Sequence, residues 1–170
     1  MPNAAIFLRS LLLSYIMLSM HACEAFVVGP SSRQGRGRSV STTELSAAIV
    51  VARGASRFKI EYDLVIRPES VLPPLVVLHG GPSVPSNYLR PLENIVTDRS
   101  ILFYDQLGCG RSDEPDNPYM YSIDLAVEDL DQLLSMTGIA VGPYHLYGQS
   151  FGGILAFEFL KSSVRRHGWH

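Results

Sequence analysis

Short, continuously apolar stretches recur along the second half of the chain, each followed by turn-forming residues. They lie at residues 75–79 (LVVLH), 100–105 (SILFYD) and 144–148 (YHLYG). Runs of this length and composition predict strands covered on both faces, as in a parallel sheet. Residues 48–52 and 58–66 are also β-like, and the second stretch alternates as a half-exposed strand does.

Helical periodicity appears between these predicted strands. Residues 122–137 place four apolar side chains on one helical face: Ile123, Val127, Leu130 and Leu134. Ser122 is the predicted N-cap of this helix and Gly138 its predicted stop. Further helices are predicted at 87–97 and 151–161. Strands that alternate with helices predict an α/β fold, with a mostly parallel sheet and helices on both faces.

The first 25 residues have the pattern of a signal peptide. Residues 6–20 are apolar apart from Arg9, Tyr15 and three serines, which is short of a membrane span. Cys23 and Ala25 are small residues at the −3 and −1 positions of a cut before Phe26. The alternative is an uncleaved membrane anchor; after cleavage we expect no stable membrane span.

Residues 26–47 form a leader rich in Ser, Thr, Gly and Arg, with Glu44 as its single acidic residue. This composition predicts a flexible segment and matches an organellar transit peptide. A signal peptide joined to such a stretch at Phe26 resembles the two-part presequences of algae with secondary plastids. The resemblance implies a plastid destination through the secretory route, and a secreted protein with a flexible spacer is the alternative.

Charge and cysteine content exclude several classes of function. The net charge of −2 provides no basic stripe for binding nucleic acid. Cys23 and Cys109 are the only cysteines, too few for a disulfide framework or a metal cluster. We expect no cofactor and no metal.

The chemistry is predicted to lie in GQSFG, residues 148–152. This G-x-S-x-G pattern falls between a predicted strand and a predicted helix, as a nucleophile elbow requires, and glycines two residues to either side allow the sharp turn. Ser150 is therefore the predicted nucleophile. The backbone N–H of Phe151, at the start of the helix, is a predicted oxyanion donor.

A second motif, LHGGP at residues 78–82, directly follows a predicted strand. An HGG-type turn at this place supplies the second oxyanion donor in hydrolases of this fold, here the backbone N–H of Gly81. The His79 side chain is predicted to be structural and not a base. Five residues are candidates for lining the substrate cleft: His79, Gly80, Pro82, Asp105 and Gln149.

The third motif is FYDQLGCGRSDEP, residues 103–115, a glycine-rich loop at the end of a predicted strand. Asp105 and Arg111 could line the cleft or pair with each other, and we favour the structural role. Cys109 lies among small residues and is predicted to be a packing residue.

In order and spacing, these three motifs resemble the proline iminopeptidases of the α/β-hydrolase fold and their tricorn-interacting aminopeptidase relatives. The resemblance spans residues 58–160. It implies a serine hydrolase that releases N-terminal residues, often proline, from small peptides, on the N-terminal part of an α/β-hydrolase sheet. The family usually has glycine where this chain has Ser83, which puts the conformation of the oxyanion loop in question.

In this fold, the acid and the histidine of the triad follow the nucleophile, and neither is predicted in this chain. His145 lies within the strand that enters the elbow. His167 and His170 lie in a basic tail predicted to lack helical structure. We therefore divide the chain into a signal peptide (1–25), a leader (26–47), a partial hydrolase domain (48–161), truncated after the elbow helix, and a divergent tail (162–170).

Two consequences are expected of such a chain. Without its base it should turn over peptides or esters only at the residual level that an oxyanion hole supports. Residues 144–148 should form a bare, aggregation-prone sheet edge. A carboxylesterase or lipase on the same scaffold, or a non-catalytic truncated product, remains an alternative; epoxide hydrolases and dehalogenases are disfavoured because Ser150 is not a carboxylate.

Overall fold

The structure is a computed structural model that describes residues 16–19, 42–81 and 83–167, with the backbone alone at 16–19 and 164–167. One sheet runs through these residues in the order β1-β6-β4-β5-β3-β2. Its strands are β1 (Ile16–Ser19), β2 (Thr43–Arg53), β3 (Ser56–Ile66), β4 (Leu75–Leu78), β5 (Ile101–Tyr104) and β6 (His145–Gly148).

The α/β fold class is confirmed, but the sheet is mixed and not mostly parallel. Two strand pairs are parallel, β4 with β5 and β4 with β6. The pairs β1–β6, β2–β3 and β3–β5 are antiparallel. The reason at β2 and β3 is the short connection, because a two-residue turn at Gly54 and Ala55 can join only antiparallel strands.

Three α-helices accompany the sheet in the described residues: α1 (Leu92–Ile95), α2 (Ile123–Met136) and α3 (Phe151–His167). The predicted caps of α2 are confirmed, since the Ser122 side chain accepts a hydrogen bond from the N–H of Leu125 and Gly138 adopts a left-handed φ of 76°. The helix predicted at 87–97 is instead a 3-10 helix at Ser86–Leu89 followed by α1. Pro91 separates the two because its nitrogen has no hydrogen to donate.

Each face of the sheet is covered by its own apolar cluster, because side chains alternate along a strand. The larger cluster joins the sheet to α2 and α3 and includes Val76, Leu78, Leu102, Leu146, Leu130, Leu133 and Phe159. The smaller cluster joins the other face to the segment around α1 and includes Leu75, Val77, Ile101, Phe103, Leu89 and Leu92. Helices therefore cover both faces, as predicted.

The hairpin of β2 and β3 begins earlier in the chain than the sequence predicted. β2 begins at Thr43, five residues before the predicted domain boundary at residue 48. These residues remain largely exposed, so burial does not explain their order. Backbone pairing with β3 does, together with a hydrogen bond of 2.6 Å from the Ser46 hydroxyl to Asp63 and an ion pair between Glu44 and Arg90.

The last helix is also longer than predicted. α3 runs to His167. Residues 162–167 are therefore helical, and the prediction that they lack helical structure is wrong. Ser163 is buried, and its hydroxyl donates to the carbonyl of Phe159 at 2.9 Å. Serine in a helix interior can satisfy its hydroxyl in this way, which the apolar periodicity does not reveal. His170 lies outside the described residues.

The edge of β6 was predicted to be bare, and this prediction is wrong because β1 pairs with it, with Ile16 opposite Gly148 and Ser19 opposite His145. β1 belongs to the segment predicted as a signal peptide, most of which lies outside the described residues. The predicted cut before Phe26 and the transit-like stretch before residue 42 lie outside them as well. Of the helices that the structure describes, none is long and apolar enough to cross a membrane.

Candidate active site

The three sequence motifs meet at one edge of the sheet. β4, β5 and β6 run in parallel, so the loops after Leu78, Tyr104 and Gly148 leave from the same end. In open α/β sheets this end is where ligands bind. The structure therefore brings together the segments predicted to carry the chemistry.

Ser150 adopts a left-handed backbone conformation, with a φ of 53°. It lies between the end of β6 and the first residue of α3, and its side chain is exposed. A left-handed conformation is uncommon for a residue with a Cβ, and such strain clusters at functional sites. The sharp strand-to-helix bend that the sequence predicted is present.

Glycine is required on both sides of this bend. A Cβ at Gly148 would lie 2.7 Å from the Cα of Gly153 and even closer to the carbonyl of Gly152. A Cβ at Gly152 would lie 2.8 Å from the carbonyl oxygen of His79 and would collide with the backbone of Leu78. The elbow is thus packed directly against the end of β4, and the G-x-S-x-G spacing has a steric cause.

The turn after β4 lies beside Ser150. A Cβ at Gly80 would lie 3.2 Å from the Ser150 Cβ and 2.5 Å from the Gln149 side-chain oxygen. Within the described residues, the backbone N–H groups of Gly81 and Phe151 donate to no protein atom. Two unsatisfied amides next to an exposed hydroxyl are what binding of an oxyanion requires.

His79 holds this turn and is unavailable as a base. Its Nε2 accepts the N–H of Gln106 at 2.8 Å, so the proton of the neutral ring is on Nδ1, which donates to the Gly80 carbonyl at 2.5 Å. The ring is buried, and this burial lowers the pKa of His79. The geometry matches the structural role predicted for it.

Asp105 fastens two loops together instead of facing a substrate. One carboxylate oxygen accepts the N–H and the hydroxyl of Ser86, both at 2.8 Å, and the other accepts the N–H of Arg111 at 3.1 Å. Burial alone would raise the pKa of Asp105, but these hydrogen bonds outweigh it and hold the pKa below its usual value.

Arg111 and Cys109 are also occupied locally. The Arg111 guanidinium forms a two-pronged pair with Asp63, at 2.7 and 3.2 Å, in addition to its contact with Asp105. Cys109 is buried, which raises the pKa of its thiol and leaves it a poor nucleophile. Both arrangements match the structural roles that the sequence favoured.

None of the three histidines among the described residues is placed to act as a base for the Ser150 hydroxyl. His79 is committed to the turn. His145 lies at the opposite end of β6, and its Nδ1 accepts from the Arg99 guanidinium at 2.8 Å. His167 ends α3, sixteen residues after Phe151, which is about 24 Å along the helix axis at 1.5 Å per residue.

A cavity of about 790 Å³ opens beside the two free amides, and Gly81 and Phe151 line it. Most of its wall is apolar, and Glu114 and Asp116 contribute carboxylates. This volume is within the usual range for small-molecule sites. Of the predicted cleft residues, His79 and Gly80 line the cavity, Asp105 and Gln149 do not, and Pro82 lies outside the described residues.

Two features of this edge were missed by the sequence analysis. The Tyr88 hydroxyl bridges the backbone of Gly80 and the side chain of Gln149. A buried ion pair between Arg53 and Asp129 forms part of the cavity wall. Asp129 on the otherwise apolar face of α2 was the one available signal, because a buried carboxylate needs a partner.

Comparison with known proteins assigns the class. The sequence pattern of the α/β-hydrolase fold matches residues 73–165, more than half of the chain. The chain therefore belongs to the α/β-hydrolase fold family, which agrees with its sheet, its elbow and its HGG turn.

Within that family, the chain is similar to proline iminopeptidases. It is 40% identical to the proline iminopeptidase of Lactobacillus helveticus over 102 residues, 58% of this chain and 34% of the relative. It is 41% identical to that of Clostridium botulinum over 87 residues, 51% and 29% of the two chains. The chain spans about a third of the length of the relatives it matches.

Solved structures agree with this similarity. The crystal structure of proline iminopeptidase from Mycobacterium smegmatis superposes with a TM-score of 0.55 at 33% identity, covering 66% of this chain and 38% of the other. The crystal structure of VinJ superposes with a TM-score of 0.58, also at 33% identity. The predicted resemblance is confirmed.

Proposed function

We propose that this chain carries the nucleophile and the oxyanion hole of a serine hydrolase of the proline iminopeptidase type. Ser150 is the nucleophile, and the amides of Gly81 and Phe151 stabilise the negative charge that develops on the attacked carbonyl oxygen. The observation that carries the proposal is the left-handed Ser150, held by Gly148 and Gly152 against the backbone of β4. The similarity to proline iminopeptidases supports small peptides as substrates.

In this proposal the chain by itself is a weak catalyst. A serine hydroxyl needs a base, and none of the described histidines is placed to act as one. The 170-residue chain should therefore hydrolyse prolyl amides only at the residual level that an oxyanion hole supports. A rate typical of a complete peptidase, measured on the purified chain, would contradict this.

The roles of Ser150 and the oxyanion hole can be tested in a chimera. In this chimera, residues 73–165 replace the corresponding stretch of the Lactobacillus helveticus enzyme, which supplies the remainder of the fold. We expect prolyl-p-nitroanilide hydrolysis, and we expect Ser150→Ala to lower kcat/KM by at least about 1000-fold. The control is Ser135→Ala, an exposed serine on α2, which should leave kcat/KM unchanged. Equal activity of the two variants would contradict the proposal.

An esterase is the second candidate, and the largely apolar wall of the cavity favours it. Such a wall accepts an acyl chain as readily as an apolar amino-acid residue. The chimera and the parent enzyme can be compared on aminoacyl amides and on acyl esters. An unchanged preference for aminoacyl amides supports the peptidase, whereas a shift toward acyl esters supports the esterase.

For the leader, we propose import into a plastid by way of the secretory route. The support is the apolar stretch at 6–20, followed by the Arg- and Ser-rich stretch after Phe26. A fluorescent protein fused behind residues 1–47 should enter the organelle in an alga with secondary plastids, and secretion of the fusion would contradict this. Cleavage before Phe26 would also remove β1 from the sheet and expose the edge of β6.

A further inference from the structure

The two sides of the proposed oxyanion hole are joined by one side chain. The Tyr88 hydroxyl accepts the backbone N–H of Gly80 at 2.7 Å and donates to the side-chain oxygen of Gln149 at 2.6 Å. A hydroxyl has one proton and two lone pairs, so it makes both bonds at once. Gly80 precedes one proposed donor, Gly81, and Gln149 lies two residues before the other, Phe151.

We propose that Tyr88 is a positioning residue for the oxyanion hole, an inference that rests on the proposed function. Its hydroxyl accepts the N–H of Gly80 and so fixes the His79–Gly80 peptide, while the next peptide, which carries the Gly81 N–H, is held at its carbonyl by His79 Nδ1. Through Gln149 it fixes the same turn relative to the elbow. The hydroxyl thus adds a side-chain link between the two donor segments to the backbone bond from the Gln149 N–H to the Leu78 carbonyl at 3.1 Å. Donors of an oxyanion hole act only when they are held in place before the reaction.

Tyr88 is itself firmly anchored. It belongs to the 3-10 helix Ser86–Leu89, and Ser86 is bound through both its N–H and its hydroxyl to the buried carboxylate of Asp105. Hydrogen bonds at both ends of this short 3-10 helix thus connect the loop after β5 with the turn after β4 and with the elbow. This connection accounts for Asp105, which contacts no candidate catalytic group directly.

The first test uses the 170-residue chain with Tyr88→Phe, because 41% of the Tyr88 surface is exposed and phenylalanine keeps the ring. We expect hydrogen exchange at the Gly80 amide to become about 10-fold faster, the effect of losing one hydrogen bond. NMR signals of Gly80, Gly81 and the Gln149 side chain should shift, while the amide of Leu102 in β5 should not change. The control is Tyr119→Phe, which is 87% exposed and should leave Gly80 unaffected.

An unchanged exchange rate at Gly80 would overturn the inference. A uniform acceleration that includes Leu102 would also overturn it, because that pattern indicates general destabilisation and not a local link. These results do not depend on catalysis, so they decide the role of the hydroxyl even if Ser150→Ala leaves the chimera active and the proposed function fails.

The second test separates positioning from substrate binding. In the chimera, Tyr88→Phe should lower kcat about 10-fold with little change in KM, since small misplacements of catalytic groups reduce rates strongly. Tyr119→Phe should change neither constant. A rise in KM at unchanged kcat would indicate a substrate contact instead, and unchanged kcat would contradict positioning; either result overturns the inference.

Discussion

The elbow after β6 and the turn after β4 contain the same unusual feature and hold it in different ways. Each has a serine with a left-handed backbone, Ser150 with a φ of 53° and Ser83 with a φ of 62°. The elbow is enclosed by glycines that touch neighbouring backbone, whereas the turn is held mainly through side chains. The left-handed conformation of Ser150 is therefore imposed by close packing. At Ser83 the strain arises because the residue in this left-handed position has a Cβ, which glycine would lack.

The largest effect should come from adding one methyl group to the elbow. Gly152→Ala places a Cβ against the backbone of Leu78 and His79, which cannot move without displacing β4. We expect a loss of about 3 kcal/mol or more in the free energy of unfolding. Urea denaturation followed by circular dichroism measures it.

The matched control for this substitution is Gly153→Ala. The nearest atom to a Cβ there is the Gly148 carbonyl at 3.7 Å, an ordinary contact. Alanine is the better helix former, so this variant should gain about 0.5–1 kcal/mol. Similar losses for the two variants would show that packing at the elbow is not specific.

A substitution at Asp105, which holds the segment after the β4 turn through Ser86, should show the next largest effect on stability. Asp105→Asn removes the charge that receives hydrogen bonds from Ser86 and Arg111. A hydrogen bond to a charged group contributes about 1.5–3 kcal/mol to stability. We therefore expect the free energy of unfolding to fall by an amount of that order at neutral pH.

The pH dependence follows from the lowered pKa of Asp105. A carboxyl whose pKa is lower in the folded chain than in the unfolded one contributes stability above the unfolded value, near pH 4, and loses it as the pH falls through the folded pKa. The difference in stability between the parent chain and Asp105→Asn should therefore shrink below about pH 4. A difference that grows in acid would contradict the assignment.

Alanine substitutions at the adjacent glycines Gly80 and Gly81 should change the stability of the chain by different amounts. Gly80→Ala forces a Cβ against Gln149 and Ser150, and we expect it to cost about 1–2 kcal/mol. At Gly81 the nearest atom is the Ser83 nitrogen at 3.5 Å, so Gly81→Ala should change stability by less than about 0.5 kcal/mol while keeping the N–H. Thermal unfolding of the two variants makes the comparison, and a larger loss at Gly81 would reverse it.

The last predicted effect is a gain in stability at Ser83. Glycine adopts a positive φ without the steric cost that a Cβ imposes, so Ser83→Gly should raise the free energy of unfolding by about 1 kcal/mol. Ser83→Ala retains the Cβ and should leave stability nearly unchanged. A loss of stability in Ser83→Gly would mean that the left-handed conformation is not a source of strain.

Local patterns explain what could be predicted from the sequence. The elbow and the caps of α2 depend on residues within a few positions of one another, and all were predicted correctly. The start of β2 could not be predicted, because Thr43 to Ala47 are ordered by pairing with residues about twenty positions away. The Tyr88 link was missed for the same reason, since Gln149 lies 61 residues further along the chain.

The most direct measurement concerns the hydroxyl of Ser150 itself. The chimera should be treated with a fluorophosphonate until prolyl-p-nitroanilide hydrolysis stops, and its peptides mapped by mass spectrometry. The predicted result is a single phosphonyl adduct on Ser150, formed in proportion to the lost activity. Complete inhibition with Ser150 unmodified would contradict its assignment as the nucleophile.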